Sequence, residues 1–213
     1  MKVAILGAAG QTGTPLIEEA LARGHEVIAI ARSPEKISTE DPRVTKRAGD
    51  GFDEASIIKA LEGADAVITT VGKTNLRDKR YNLSTAAHRA VMAGMKTHNI
   101  RRLLAISSVG AAQGIKRKGL RRNIYRWLRR KYYGDMYQME KELEASNLDV
   151  TVLRAPMLYN GPCQNNYRVL EDESYQNILR ISRADLVQFI FDDLENNQWV
   201  NHTIAVADID ERG

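Results

Sequence analysis

Short apolar runs alternate along the chain with segments whose apolar residues recur every three or four positions. The first pattern predicts buried strands and the second predicts amphipathic helices. Strands are expected at residues 3–6, 26–31, 44–48, 64–70, 102–107 and 149–154. Helices are expected at about 14–22, 53–61, 84–98 and 132–146, with another starting near Ser182. Strands that alternate with helices predict right-handed βαβ units and a parallel sheet.

This alternation predicts an α/β fold, a doubly wound parallel sheet of the Rossmann type, in a single domain over residues 1–213 with a small C-terminal extension. Two segments interrupt it: the basic insertion at 110–131, and the polar, asparagine-rich loop at 159–176. Each follows the C-terminal end of a predicted strand, where open α/β sheets bind ligands. We therefore expect both segments to lie on the substrate side.

The net charge of +4 is unevenly distributed, because residues 116–131 hold nine basic residues and no acidic one. Ile124, Trp127 and Leu128 lie at helical offsets within this segment, which predicts an amphipathic helix with cationic flanks. Three interpretations remain: a solvated surface helix, a lid that attracts an anionic substrate, or a surface for nucleic acid, an anionic membrane or another partner. The solvated surface helix is the simplest interpretation, and the place of the segment in the chain favours the substrate lid over the remaining one.

The remaining composition, 43% hydrophobic and 27% charged residues, is typical of a globular protein with a sizeable core. The single cysteine, Cys163, excludes an intrachain disulfide, and we expect it to be an incidental loop residue. The four histidines show no metal-ligand spacing, so no metal site is expected. No apolar run approaches the ~18 residues of a membrane span, and no signal-peptide pattern precedes the first strand. These features predict a cytoplasmic protein, monomeric or weakly homo-oligomeric.

A glycine-rich turn joins the first strand to the first helix, with Gly7, Gly10 and Gly13 at intervals of three residues. Glycines permit a tight turn and close approach of the backbone to a pyrophosphate, and the helix N-terminus offers N–H groups and a partial positive charge. Strand, glycine turn and helix is the context of a dinucleotide-binding loop. The predicted loop residues are Gly7, Ala9, Gly10, Gln11, Thr12 and Gly13.

Arg32 ends the second strand, 19 residues after Gly13. An acidic residue at this place would accept hydrogen bonds from a ribose 2′-hydroxyl. A guanidinium instead offers a bidentate fork and a permanent charge to a 2′-phosphate, and Ser33 can add its hydroxyl. We expect NADP(H) to be preferred over NAD(H); the alternative is a solvated arginine at a strand end.

The run Gly7-Ala8-Ala9-Gly10-Gln11-Thr12-Gly13 resembles the G-x-x-G-x-x-G signature of the extended and atypical short-chain dehydrogenase/reductases. It is most similar to their small NAD(P)H-binding branch, which includes flavin and biliverdin reductases and NmrA-like proteins. The resemblance covers about residues 1–190 and implies further cofactor contacts. These are an adenine contact at Asp50 and Gly51, a ribose loop at Thr70, Val71 and Gly72, and a nicotinamide wall at Ser107, Lys141, Pro156 and Met157.

The same resemblance implies a catalytic set. Ser108 is the candidate for the substrate oxygen, because Ser107 should still alternate with the strand. Tyr137 and Lys141 match the family's Tyr-x-x-x-Lys, and four residues make one helical turn, so both side chains share a face. A nearby ammonium favours the phenolate and lowers the tyrosine pKa from about 10, which suits proton transfer to a carbonyl.

Together these features predict an NADPH-dependent oxidoreductase that transfers a hydride to a small acceptor, such as a carbonyl, a quinone or a flavin. The alternative is a non-catalytic, NADP(H)-sensing regulatory protein of NmrA type. The Tyr137 and Lys141 pair favours the enzyme, whereas the basic segment at 116–131 leaves room for the sensor.

Overall fold

The computed structural model describes residues 1–72, 82–112, 130–171 and 180–209. Their strands are β1 Lys2–Leu6, β2 Glu26–Ala31, β3 Val44–Ala48, β4 Ala66–Thr69, β5 Arg102–Ser108, β6 Asp149–Ala155, β7 Met157–Tyr159, β8 Tyr167–Leu170, β9 Arg180–Ser182 and β10 His202–Asp208. Their helices are α1 Gly13–Ala22, α2 Glu54–Ala60, α3 Leu83–Thr97, α4 Arg130–Glu144 and α5 Arg183–Asn196, with a short 3₁₀ helix at Pro34–Lys36.

Eight strands form one sheet in the order β3-β2-β1-β4-β5-β6-β10-β8. All neighbours are parallel except β8, which runs antiparallel to β10. Strands β7 and β9 form a separate parallel pair. The predicted doubly wound parallel sheet is therefore confirmed, and its strand order reverses between β1 and β4, where such sheets bind ligands.

Helices cover both faces of the sheet, and side chains of β1 point alternately to the two layers. Val3 and Ile5 pack with residues of α1 and α5, whereas Ala4 and Leu6 pack with residues of α2, α3 and α4. All four side chains are at most 4% exposed. A strand buried on both faces reads as a continuous apolar run, which is why the pattern predicted these strands well.

Side-chain caps fix where several helices begin. Asp53 accepts a hydrogen bond from the Ser56 backbone N–H at the start of α2. Ser182 does the same for Asp185 in α5, as the sequence predicted. Helix α3 is capped from another helix: Asp135 of α4 accepts from two of its first backbone N–H groups at 2.8 and 3.0 Å. This contact fixes α4 against α3.

Three parts of the chain differ from the prediction. Strand β5 extends one residue further than expected and includes Ser108. The segment 159–176 was expected to be a polar loop, but its Tyr167–Leu170 portion is strand β8, because it pairs with β10. The predicted C-terminal extension places β10 inside the main sheet, between β6 and β8.

Most of the basic segment, residues 113–129, lies outside the described residues, so its three interpretations stay predictions.

Candidate functional site

The glycine turn is anchored to the neighbouring strand β2. The backbone N–H groups of Gly7 and Ala8 both donate to the Ile30 carbonyl, at 3.0 and 3.1 Å. Gly7 has a φ of +92°, a conformation that side chains disfavour, and the Gly10 N–H closes the turn on the Gly7 carbonyl at 2.9 Å. These bonds hold the turn at the carboxyl edge of the sheet, beside the end of β2.

Close packing explains why positions 7 and 13 of the turn are glycine, whereas Gly10 is exposed. A Cβ on Gly13 would lie 2.6 Å from the Ala8 carbonyl oxygen and would also overlap the Gly7 oxygen. A Cβ on Gly7 would overlap the Thr70 hydroxyl. By contrast, a Cβ on Gly10 would meet only the Gly7 oxygen, at 3.1 Å, and Gly10 is exposed. Gly10 is therefore the glycine whose small size serves an approaching ligand most directly.

The N-terminus of α1 offers an anion site. Thr12 is its N-cap residue and makes no side-chain cap bond, and the first turn contains no acidic residue. The Thr14 N–H donates to the Gly10 carbonyl and Pro15 has no N–H, so this end offers a negative charge the helix dipole and the N–H groups of residues 11–13. Ala9, Gly10 and Gln11 are exposed on the approach to this end.

The predicted 2′-phosphate and adenine contacts follow β2 and β3. Arg32 is exposed and forms no ion pair within the described parts of the chain. Ser33 occupies the N-cap position of the 3₁₀ helix but makes no side-chain cap bond there. The Asp50 carboxylate accepts from the Phe52 N–H at 3.1 Å. Gly51 is a packing glycine, because its Cβ would lie 2.6 Å from that of Ala87.

The segment after β4 is tied to the glycine turn. The Thr70 hydroxyl lies 3.3 Å from both the Leu6 and Gly7 carbonyl oxygens. Val71 packs against the layer formed by α2, α3 and α4. Among the described residues, no atom lies within 4 Å of a Cβ built on Gly72, so packing against that part of the chain does not require glycine there. Its predicted role, close approach to the cofactor ribose, stays a prediction.

A buried ion pair lies at the ends of β5 and β6, and sequence reasoning missed its carboxylate. Glu140 of α4 accepts from the Ser107 hydroxyl at 2.5 Å and from Arg154 Nη2 at 2.8 Å. The exposed fractions of Ser107, Glu140 and Arg154 are 3%, 4% and 8%. The apolar spacing of Met136 and Leu143 was the available signal, because it places residue 140 on the buried face of the helix.

This ion pair constrains what Ser107 can bind. A serine hydroxyl has one proton, and that of Ser107 is donated to a carboxylate held by a guanidinium. The Ser107 oxygen is thereby left as an acceptor, which suits a ribose hydroxyl or an amide N–H group and not a substrate carbonyl. Ser108 keeps its own hydroxyl proton: it is half-buried, and its oxygen accepts from the Gly110 N–H at 3.2 Å.

Tyr137 and Lys141 share a face of α4, as their spacing predicted. The Lys141 ammonium lies 5.9 Å from the centre of the Tyr137 ring. It also pairs with Glu144 at 2.6 Å, and this contact raises the pKa of Lys141. The lysine side chain is 53% exposed, whereas Glu140, its neighbour in sequence, is the residue that reaches the strand ends. The catalytic roles of this pair stay predictions.

Beyond β6, the chain forms the other wall of the site. Pro156 is half-buried, and Met157 is 65% exposed, which is unusual for a large apolar side chain. Arg183, which sequence reasoning did not single out, donates to Gln11 of the glycine turn and to Asn160 after β7. Arg183 therefore connects the glycine turn to this wall.

The side chains of Asp185 and Cys163 form hydrogen bonds that hold the loop after β7 against α5. The Asp185 carboxylate accepts from the backbone N–H groups of Gln164 and Asn165, both at 2.8 Å, so it anchors this loop. The Cys163 thiol donates to Gln188 at 2.6 Å. Burial is the largest of the effects that raise the pKa of Cys163, which disfavours the thiolate needed by a nucleophile.

Two cavities of about 390 and 480 Å³ lie near Arg101, Asn147 and Leu148, at the opposite edge of the sheet. They contain none of the predicted site residues. Within the described ranges no cluster of three His, Cys, Asp or Glu side chains could hold a metal ion. Nor does any helix of those ranges have the length and apolar character needed to cross a membrane.

Comparison with known proteins agrees with this geometry. The NAD(P)H-binding family model matches residues 7–197. An uncharacterized Bacillus subtilis protein, YwnB, is 31% identical over 111 residues, which are 52% of this chain and 49% of that protein. An isoflavone reductase homolog from Zea mays is 31% identical over 87 residues, 37% of this chain and 28% of that protein. The chain thus spans about half or less of the length of these curated relatives.

The fold also resembles a solved short-chain dehydrogenase/reductase from Veillonella parvula in complex with NADP. That structure has a TM-score of 0.78 and 24% sequence identity, covering 97% of this chain and 94% of the other. At this identity the likeness concerns the fold.

Proposed function

Since this chain belongs to the NAD(P)H-binding family, we propose that it is an NADPH-dependent oxidoreductase that transfers a hydride to a small acceptor. The observation that carries this proposal is the glycine turn: it is anchored to β2, opens the N-terminus of α1, and leaves the first helical turn free of acidic residues. The pyrophosphate binds there, and Ser107, Pro156 and Met157 border the nicotinamide.

Arg32 supplies the preference for NADP(H) over NAD(H), because its exposed guanidinium follows the strand that anchors the glycine turn. Arg32→Asp should weaken NADPH binding by about 10–100-fold, the worth of a charge-assisted hydrogen bond, and should improve NADH binding. Calorimetry measures both affinities. Arg168→Asp is the matched control, since Arg168 is exposed on β8, at the far edge of the sheet. Equal affinity of the unaltered protein for both cofactors would refute the assignment.

The placement of Lys141 favours some acceptors over others. Its ammonium lies 5.9 Å from the centre of the Tyr137 ring and also pairs with Glu144, so Glu144 competes with Tyr137 for that charge. A carbonyl acceptor needs a proton for the developing alkoxide, whereas a quinone or flavin can take the hydride first and a proton from water afterwards. We therefore expect NADPH oxidation to be fastest with quinones or flavins in a panel that also contains aldehydes.

A second candidate, the NADP(H)-sensing regulatory protein of NmrA type, draws support from the same Lys141–Glu144 contact. A sensor binds the cofactor but has no need of a proton donor. NADPH binding by calorimetry, together with no oxidation by any acceptor of the panel, would select this candidate. Oxidation by any acceptor at a rate proportional to protein concentration selects the enzyme.

A further inference from the structure

Arg183 bridges two segments that are far apart in sequence. Its Nη2 donates to Gln11 Oε1 at 2.9 Å, and its Nη1 donates to Asn160 Oδ1 at 2.7 Å. Gln11 lies between Gly10 and Thr12, at the N-terminus of α1. The guanidinium is thus one side chain away from the backbone N–H groups that form the anion site.

Among the described residues, no carboxylate pairs with Arg183. Both of its hydrogen-bond acceptors are neutral amide oxygens, and its buried Nε has no partner there. Two arginines of the sheet strands differ, since Arg102 pairs with Asp193 at 2.6 Å and Arg154 pairs with Glu140 at 2.8 Å. Arg183 is half-buried, and a guanidinium that none of these carboxylates neutralises favours an anionic ligand at its Nη donors.

We propose that Arg183 is a ligand of the dinucleotide pyrophosphate, beside the N-terminus of α1. That N-terminus supplies backbone N–H groups, and Arg183, held next to it by Gln11 and Asn160, supplies a full charge. Donors of Arg183 that are not engaged by the two amide oxygens bind the phosphate oxygens. This inference rests on the proposed cofactor binding and adds a contact that belongs to the pyrophosphate and not to the 2′-phosphate.

Arg183 and Arg32 should therefore be distinguishable by the ligand they affect. The pyrophosphate is common to NADPH and NADH, so Arg183→Gln should weaken the binding of both cofactors by the same factor, about 10–100-fold. Adenosine 2′-monophosphate has no pyrophosphate, so its binding should not change in Arg183→Gln. Arg32→Asp should show the opposite pattern, with NADPH and adenosine 2′-monophosphate weakened and NADH not weakened.

The experiment measures the affinity of these three ligands by calorimetry for the unaltered chain and for Arg183→Gln, Arg183→Lys and Arg180→Gln. Arg180→Gln is the matched control, because Arg180 lies three residues earlier, is 54% exposed and contacts Asp208. Arg183→Lys keeps the charge but loses the fork that spans two amides, so it should restore part of the affinity. It also provides the measurement if Arg183→Gln does not fold, as judged by circular dichroism.

The outcomes separate this inference from the proposed function. Equal losses for NADPH and NADH in the Arg183 variants, with Arg180→Gln unchanged, support it. Unchanged affinity for both cofactors in folded Arg183 variants overturns it and leaves cofactor binding intact, even if the KM of an anionic acceptor then rises. Failure of the unaltered chain to bind either dinucleotide would instead overturn the proposed function.

Discussion

Gly13→Ala tests whether the first helix must touch the glycine turn. The added methyl group would lie 2.6 Å from the Ala8 carbonyl oxygen and 2.7 Å from its carbon. These atoms belong to the backbone, and the neighbouring Gly7 and Ala8 N–H groups are bonded to Ile30, so they cannot turn aside as a side chain could. Helix α1 must therefore move away from β1.

The expected cost follows from this geometry. At an unhindered position with negative φ, Gly→Ala stabilises a protein by about 0.4–1 kcal/mol, because it restricts the unfolded chain. Overpacking of a well-packed region costs about 1–3 kcal/mol. The second effect should dominate, and for a chain of this size each kcal/mol lowers Tm by about 2–4 °C. Displacement of α1 also moves its N–H groups, so NADPH affinity should fall.

Two other glycines serve as controls in urea denaturation and calorimetry. Gly24 has a φ of +80°, and none of the described residues comes within 4 Å of a Cβ built on it. Gly24→Ala should therefore lose about 1–2 kcal/mol from backbone strain alone and keep its cofactor affinity. Gly10→Val should keep most of its stability and lose cofactor binding, because Gly10 is exposed and the proposed pyrophosphate site lies against it. A Gly13→Ala protein with unchanged Tm and NADPH affinity would refute the packing argument.

Three further predictions concern α4 and its neighbours. Tyr137→Phe should cut turnover on carbonyl acceptors by roughly 10²–10⁴-fold and leave quinone or flavin turnover and NADPH affinity nearly unchanged, whereas Lys141→Ala should lower both turnover and affinity. Steady-state kinetics on the acceptor panel measures these effects. Full activity of Tyr137→Phe on every substrate would show that the phenol has no role in the reaction. Glu140→Leu removes the carboxylate that pairs with buried Arg154 and should lower the free energy of unfolding by about 3–5 kcal/mol, measured by urea denaturation. The double variant Glu140→Leu/Arg154→Met should recover most of that stability. If the effects of the two substitutions were instead additive, the ion-pair explanation would be contradicted. Burial lowers the pKa of His88 from 6.5 to about 4, so the unfolded state binds its proton more tightly. Stability should therefore fall as pH drops between these values, by at most about 1.4 kcal/mol per pH unit from this group, and His88→Gln should reduce that decline; identical pH profiles would exclude His88 as a cause.

The elements that could be predicted best from the sequence are the strands that are buried on both faces of the sheet. Strands β1 and β2 are covered on both faces, so their apolar runs were unambiguous. Strand β8 was hidden in a polar segment, because its neighbour among the described strands is β10, which comes after α5 in the chain. No local pattern contains that pairing.

The same reasoning explains the site. The glycine turn, its strand and its helix are contiguous, so local pattern was sufficient to predict their arrangement. Arg183 contacts Gln11 across 172 positions, and Ser107 meets Glu140 across 33, so these contacts depend on the folded arrangement of the sheet. The Tyr-x-x-x-Lys spacing correctly predicted a shared helix face, but it could not predict that Glu144 would engage the ammonium.

The two edge strands of the sheet have consequences for how copies of the chain can meet. Strand β3 carries Lys46 and Arg47, and strand β8 carries the exposed Arg168. Lys46 pairs with Glu40 at 2.9 Å and Arg47 donates to the Ala60 and Glu62 carbonyls, so the exposed Arg168 of β8 is the cation that another strand would meet. Like charges on opposed strands are destabilising, so Arg168 disfavours an edge-to-edge contact between two β8 strands, and raising the salt concentration should weaken that effect by screening the repulsion.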